Sequence, residues 1–192
     1  MKNQSALEHA RTLLTAQGFR KRASDVYTFE LSEGWLAWLG LNTAHRSGGV
    51  FEINPVFGIR HQELERCVAE LCGSPFHAYS PPTVSIHLGY LLPSKSYTPC
   101  LIVSEATAAA AVEEFVHQVV SIALPLARAA CTLDDLLELL RTRWKGFPEQ
   151  SKTRIAVALL LLGRTQECAQ FVDALAAEVE RRPGLAAAAR RS

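Results

Sequence analysis

The chain has 192 residues, 48% apolar and 20% charged, and its 20 Lys and Arg offset 19 Asp and Glu to leave a formal charge of +1. A chain of this size buries roughly 70% of the surface it exposes when unfolded, so its core needs no disulfide or metal staple. Near-cancelled charge argues against a nucleic-acid binder held by phosphate contacts and against an acidic mimic of DNA or RNA.

Ser5 followed by Glu8 is a capping box, and Leu7, Ala10, Leu13 and Leu14 recur at helical spacing until Gly18, which predicts a helix over 5–17. The period then changes to two. Tyr27, Phe29 and Leu31 alternate with Val26, Thr28 and Glu30, and Ser32-Glu33-Gly34 supplies a hairpin turn. Trp35 to Leu41 is apolar on both faces and predicts a central strand. A loop at His45–Gly49 leads to a third strand over 50–53, which Asn54-Pro55 is expected to interrupt.

Arg60 to Cys72 reads as a helix with Leu64, Cys67, Val68 and Leu71 as its stripe and Gly73 as its stop. A Pro-rich loop precedes a fourth strand over 83–90, with Val84, Ile86, Leu88 and Tyr90 on one face, and Cys100–Val103 predicts a fifth. Beyond Ser104 the pattern is helical throughout. A long helix from Ala106 is expected to kink near Pro125, and a second one starts at Thr132 with Leu133, Leu136, Leu137, Leu140 and Trp144 as its stripe and ends at Gly146. A helix from Pro148 to Leu162 and another carrying Cys168, Phe171, Val172, Leu175 and Val179 form an αα-hairpin.

Strands cluster before helices in the order α-βββ-α-ββ, followed by a C-terminal helical region ending in the αα-hairpin. This segregation predicts an α+β fold with an antiparallel sheet of about five strands. Residues 1–130 read as an α+β domain, 131–182 as a helical extension packed on it, and 183–192 as a flexible tail.

No set of residues composes a catalytic machine, a metal site or a cofactor cradle. The six histidines (His9, His45, His61, His77, His87, His117) include no pair at i, i+3 or i, i+4. There is no Gly-x-Ser-x-Gly elbow, and Gly48-Gly49 lies between two strands rather than before a helix. Glu113-Glu114 and Asp134-Asp135 diverge by about 100° on a helix and do not converge on one substrate. Basic residues form no stripe: the counts are 7 basic against 5 acidic over 1–60, 2 against 4 over 61–105 and 11 against 10 over 106–192, so no direct nucleic-acid contact is expected. The first nine residues lack an apolar signal core, so the mature protein is expected to start at Met1. The longest apolar run, Ile155–Leu162, has eight residues, against about 20 for a membrane span. Cys67, Cys72, Cys100, Cys131 and Cys168, an odd number without a Cys-x-x-Cys pair, read as free buried thiols in a reducing cytoplasm.

The densest unusual stretch is Phe51 to His61, which fixes Asn54, Arg60 and His61 beside apolar residues. One reading is a strand end and bulge, with the Asn54 side chain capping its own backbone and His61 near a helix N-terminus. The other is that Asn42, Asn54, Arg60, His61 and Tyr90, with Trp38, line a concave sheet face or loop edge that grips a partner.

Gly18-Phe19-Arg20-Lys21-Arg22, Leu39-Gly40-Leu41-Asn42, the 53–61 run and Leu88-Gly89-Tyr90-Leu91-Leu92-Pro93 resemble small bacterial proteins, some of which are immunity proteins of contact-dependent growth inhibition and other polymorphic toxin systems. The likeness covers about the first 105 residues. It implies a cytoplasmic protein that binds and neutralises a cognate toxin C-terminal domain, without catalysis, cofactor or membrane. Two other classes stay open: a small-molecule-binding protein or enzyme using the Asn54/Arg60/His61 region, and a helical adaptor acting through the 148–180 hairpin.

Overall fold

A computed structural model of the chain describes residues 2–142 and 148–181; Trp144, Gly146 and the 183–192 segment, which the sequence reading placed in a helix stripe, a helix end and a tail, lie outside the described residues. Helix α1 (Lys2–Ala16) precedes strands β1 (Arg20–Lys21), β2 (Val26–Ser32), β3 (Trp35–His45) and β4 (Phe51–His61). Helix α2 (Gln62–Leu71) leads through a long loop to β5 (Val84–His87) and, past a 3-10 turn, to β6 (Cys100–Ile102). Then come α3 (Glu105–Gln118), a π-helical turn over Val119–Ala123, α4 (Leu124–Ala129), α5 (Leu133–Thr142), α6 (Pro148–Leu161) and α7 (Thr165–Glu180). The fold is α+β, as the segregation of strands from helices predicts.

The sheet has six strands rather than five, all antiparallel, in the order β1-β2-β3-β4-β5 with β6 also on β4. The additional strand, β1, pairs only Arg20 and Lys21 with β2 and is too short to show a period. β3 is central, as its two apolar faces predict, and pairs with β4 without a slip from Trp35↔His61 to His45↔Phe51.

Asn54-Pro55 does not interrupt the third long strand, and the hydrogen-bond pattern supplies the reason. Leu41 N–H donates to Asp25 C=O at 3.0 Å, so odd-numbered residues of β3 turn their backbone groups toward β2, and odd-numbered residues of β4 turn theirs away from β3. Pro55, opposite Leu41, lacks its donor on the outer side of β4. That side is a gap: β6 pairs with Phe51–Ile53 and β5 with Val56–Ile59, and neither reaches Pro55.

One register therefore sorts every side chain of the hairpin. Odd-numbered Trp35, Ala37, Leu39, Leu41, Phe51, Ile53, Phe57 and Ile59 enter one core with Ala10 and Leu14 of α1, Phe115 and Val119 of the long helix, and Leu136, Leu140 and Ala158 of the C-terminal helices. Even-numbered Trp38, Gly40, Asn42, Asn54, Gly58 and Arg60 face the other way. That face carries two loops, 72–83 and 92–99. Gly58 is needed for the first of them: a Cβ there would stand 2.4 Å from the Val84 carbonyl oxygen and 3.0 Å from Pro82.

Several boundaries differ from the sequence reading. Arg60 and His61 end β4 rather than begin α2, because pairing with Leu36 and Trp35 holds them extended. β5 stops at His87, whose Nδ1 accepts the Gly89 N–H at 3.1 Å and turns Leu88–Leu91 into a 3-10 helix, taking Tyr90 out of the strand. Around Pro125 the helical bonding changes: the π-turn shifts it so that Leu124 N–H meets Val119 C=O, and Pro125 then occupies the first turn of α4. The rod from Glu105 to Ala129 has 25 residues and is apolar enough by length and composition to cross a membrane, yet Val112, Phe115, Val116, Val119 and Ala123 along it are buried in the core. Among the cysteines only Cys100 and Cys168 are buried; Cys67 and Cys131 are half-buried, and Cys72, just past the last turn of α2, is exposed.

Gly58→Ala places a methyl group against backbone, not against the end of a flexible side chain. Overpacking of this kind predicts a loss of at least about 2 kcal/mol in urea denaturation. An unchanged midpoint would show that the 72–83 loop does not close on the sheet at Gly58.

Candidate functional site

The register brings Trp38, Asn42, Asn54 and Arg60 onto one sheet face and places His61 on the other. His61 is 8% exposed, its ring stands edge-on to Trp35 at 4.4 Å, and its Nδ1 accepts the Leu64 N–H at 3.1 Å. It is the N-cap of α2, and burial holds its pKa below the ordinary 6.5.

Arg60 is 1% exposed. Its guanidinium donates to the carbonyls of His77, Ala78 and Pro81 and thereby ties the 72–83 loop to the end of the sheet. Glu65, on the first turns of α2, lies 3.8 Å from Arg60 and accepts a fork of hydrogen bonds from Arg154 of α6, at 2.6 and 2.9 Å. Arg60, Glu65 and Arg154 thus join the sheet, α2, α6 and a loop in one buried charged cluster. Burial pulls the Arg60 pKa down to about 10, partly offset by Glu65 and reinforced by Arg154, so the cation is incompletely compensated.

The six-membered ring of Trp38 packs close against Gly40, leaving no room for a Cβ there, and its Nε1 donates to the Tyr79 carbonyl at 2.9 Å. Arg22 covers the Tyr79 ring at 4.0 Å and donates to Thr28 Oγ1 at 2.9 Å. Two arginines therefore seat the same stretch of the loop, Arg22 on the Tyr79 ring and Arg60 on the carbonyls of 77, 78 and 81.

Lower on the same face is a second polar centre. Tyr97, from the 92–99 loop, donates its phenol to Glu52 at 2.8 Å and also reaches the Asn54 carboxamide. Asn54 therefore holds the loop rather than capping its own backbone. Arg46 donates to the other Glu52 oxygen, and that hydrogen bond, with those from Tyr97 and Asn54, holds the 4%-exposed carboxylate at a pKa of about 2. Burial and the neighbouring Glu52 push the Tyr97 phenol up. His87 stacks on Tyr97 at 4.4 Å and meets Tyr90 edge-on at 6.1 Å.

Of the six residues singled out from sequence, Asn54 and Tyr90 border this centre, Asn42 is exposed beside Asn54, and Trp38 and Arg60 are covered by the loop. Tyr79, Tyr97, Arg46, Glu52, Glu65 and Arg154 were not anticipated. Their partners lie up to 89 residues away in sequence, so only Glu52, an acid between two buried apolar residues of a strand, carried a local signal. No group of three or more metal-ligating side chains occurs among the described residues.

Glu52 stays ionised, Tyr97 stays neutral, and the Cys100 thiol is pushed up to about 11 by burial. His61 and His87 spend Nδ1 on backbone N–H groups. The arrangement orders two loops and presents their side chains.

Because burial lowers the pKa of His61 and His87, the unfolded chain takes up protons first as the pH falls. Their contribution to stability is present above pH 6.5 and is lost on acidification from there through their folded values. Denaturation between about pH 7.5 and pH 5 is expected to show declining stability, with a shallower slope for His61→Asn, which keeps a capping acceptor that does not titrate. An identical slope in wild type and variant would contradict the capping role.

Comparison of the chain with family models, with curated proteins and with solved structures finds no match, so the functional reading rests on this geometry and on the sequence.

Proposed function

We propose that this chain is a cytoplasmic immunity protein that neutralises a cognate bacterial toxin domain by binding it through the sheet face that carries the two loops. The observation that carries the reading is the distribution of tyrosine. Of four tyrosines, Tyr27 is buried in the core at 1% exposure, while Tyr79, Tyr90 and Tyr97 are 41%, 47% and 48% exposed. All three touch the even-numbered face, through Trp38, His87, Glu52 or Asn54.

Tyrosines already held against the sheet and still partly exposed are efficient contact residues, since little rotamer freedom remains to be lost when a partner arrives. Asn42 and Arg46 add exposed donors and acceptors beside them. Tyrosine and arginine are enriched at interface cores, and Asn supplies adaptable hydrogen bonds. The near-neutral charge supports a partner recognised by shape and a few polar anchors rather than by a field. Arg60 and His61, offered from sequence as contact residues, support the loops and α2 from beneath.

The test uses the toxin domain encoded beside this gene. Co-expression is expected to restore growth and to yield a stable complex. Tyr97→Ala is expected to weaken that complex by at least about tenfold, about 1.4 kcal/mol, whereas Val172→Ala on α7 leaves it unchanged. Wild-type affinity in Tyr97→Ala, together with loss in Val172→Ala, would move the interface to the helices and favour an adaptor. No complex and no rescue would overturn the immunity reading.

A further inference from the structure

A cavity of about 320 Å³ opens between α2, the 72–83 loop and α6. Its volume lies at the lower end of the range of small-molecule sites. Val68, Ala69, Phe76 and Pro81 give it apolar walls, and Arg60, Glu65 and Arg154 line one side.

The charges on that side are unequally satisfied. Glu65 gives both carboxylate oxygens to Arg154, at 2.6 and 2.9 Å, and approaches Arg60 only to 3.8 Å. Arg60 is left with neutral acceptors, the three loop carbonyls and Gln62. Those bonds use one hydrogen on each guanidinium nitrogen, and each of the two terminal nitrogens carries a second. A guanidinium at 1% exposure that faces carbonyl dipoles in place of a carboxylate fork of its own is an anion-seeking group. Phe76 extends the same logic to the rim, with Arg60 and Arg66 standing 5.4 and 5.2 Å from its ring centre.

We infer that this cavity binds a small organic carboxylate with an apolar body, its carboxylate on Arg60 and its body against Val68, Ala69, Phe76 and Pro81. The ligand would give Arg60 a carboxylate in hydrogen-bonding contact, where Glu65 comes only to 3.8 Å, and would fix the 72–83 loop. This inference does not depend on the immunity reading, since no tyrosine lines the cavity.

Benzoate serves as the probe, with benzamide as its neutral counterpart and inorganic phosphate as an anion without an apolar body. Calorimetric titration of the full chain is expected to show saturable benzoate binding, with benzamide and phosphate at least about tenfold weaker. Ala69→Leu fills the cavity without touching the charged cluster and is expected to abolish benzoate binding in a folded protein. Arg60→Lys keeps a charge but loses the planar fork and is expected to weaken benzoate by about tenfold; if that variant does not fold, Ala69→Leu decides alone. Absence of saturable benzoate binding, equal binding of benzamide, phosphate binding as tight as benzoate, or wild-type benzoate affinity in folded Ala69→Leu would each overturn the inference.

Discussion

The unbroken pairing of β3 with β4 is the constraint from which the other features follow. Eleven consecutive pairs, from Trp35↔His61 to His45↔Phe51, assign each side chain to a face, and a slip by one residue would exchange the helix-facing core with the loop-facing surface. The assignment is locked from the core side by Leu39, Ile53, Phe57 and Ile59, none of which is exposed. Polar alternatives are penalised in the same way: a shifted Arg60 or Glu52 would enter the apolar layer with none of its present partners. The polar residues of the other face are therefore held at fixed spacing by a core they do not touch.

That spacing determines what the two loops can do. Arg60 binds three carbonyls of the 72–83 loop, and Glu52 with Asn54 binds the phenol of the 92–99 loop. Each loop is thus ordered by a charged or polar residue projecting from β4, and Gly58 between them allows the chain at 82–84 to lie close to the sheet. Leaving one of these groups unpaired would carry the full desolvation penalty of a buried polar group, which is why the loops need little secondary structure to stay in place. Ordered loops with partly exposed tyrosines are suited to recognition, and the cluster of Arg60, Glu65 and Arg154 couples one of them to α6 across the chain.

Much of the architecture was legible from periodicity. The α+β class, the central position of Trp35–Leu41, the Thr132 cap and the final helical hairpin all follow from apolar spacing and capping residues, which are local quantities. Asn54-Pro55 misled because a proline breaks a ladder only where its missing N–H would meet a neighbour, and the gap between β5 and β6 is not visible locally. The site was harder still. Asn54 and Arg60 stood out as polar residues in an apolar run, but their partners Tyr97 and the 77–81 carbonyls come from loops whose course no period encodes. His61 attracted attention as a polar residue beside the core and proved to be the cap of the next helix.

We propose that the loop-bearing face of the sheet, and not the helical layer, is the recognition surface. Hydrogen–deuterium exchange of the chain, free and in the presence of the proposed toxin-domain partner, tests that proposal most directly. Slower exchange on binding is expected at 42–46, 76–80, 88–91 and 95–98, with the α6–α7 hairpin unchanged. Protection confined to residues 151–180, with those segments exchanging as in the free protein, would contradict it.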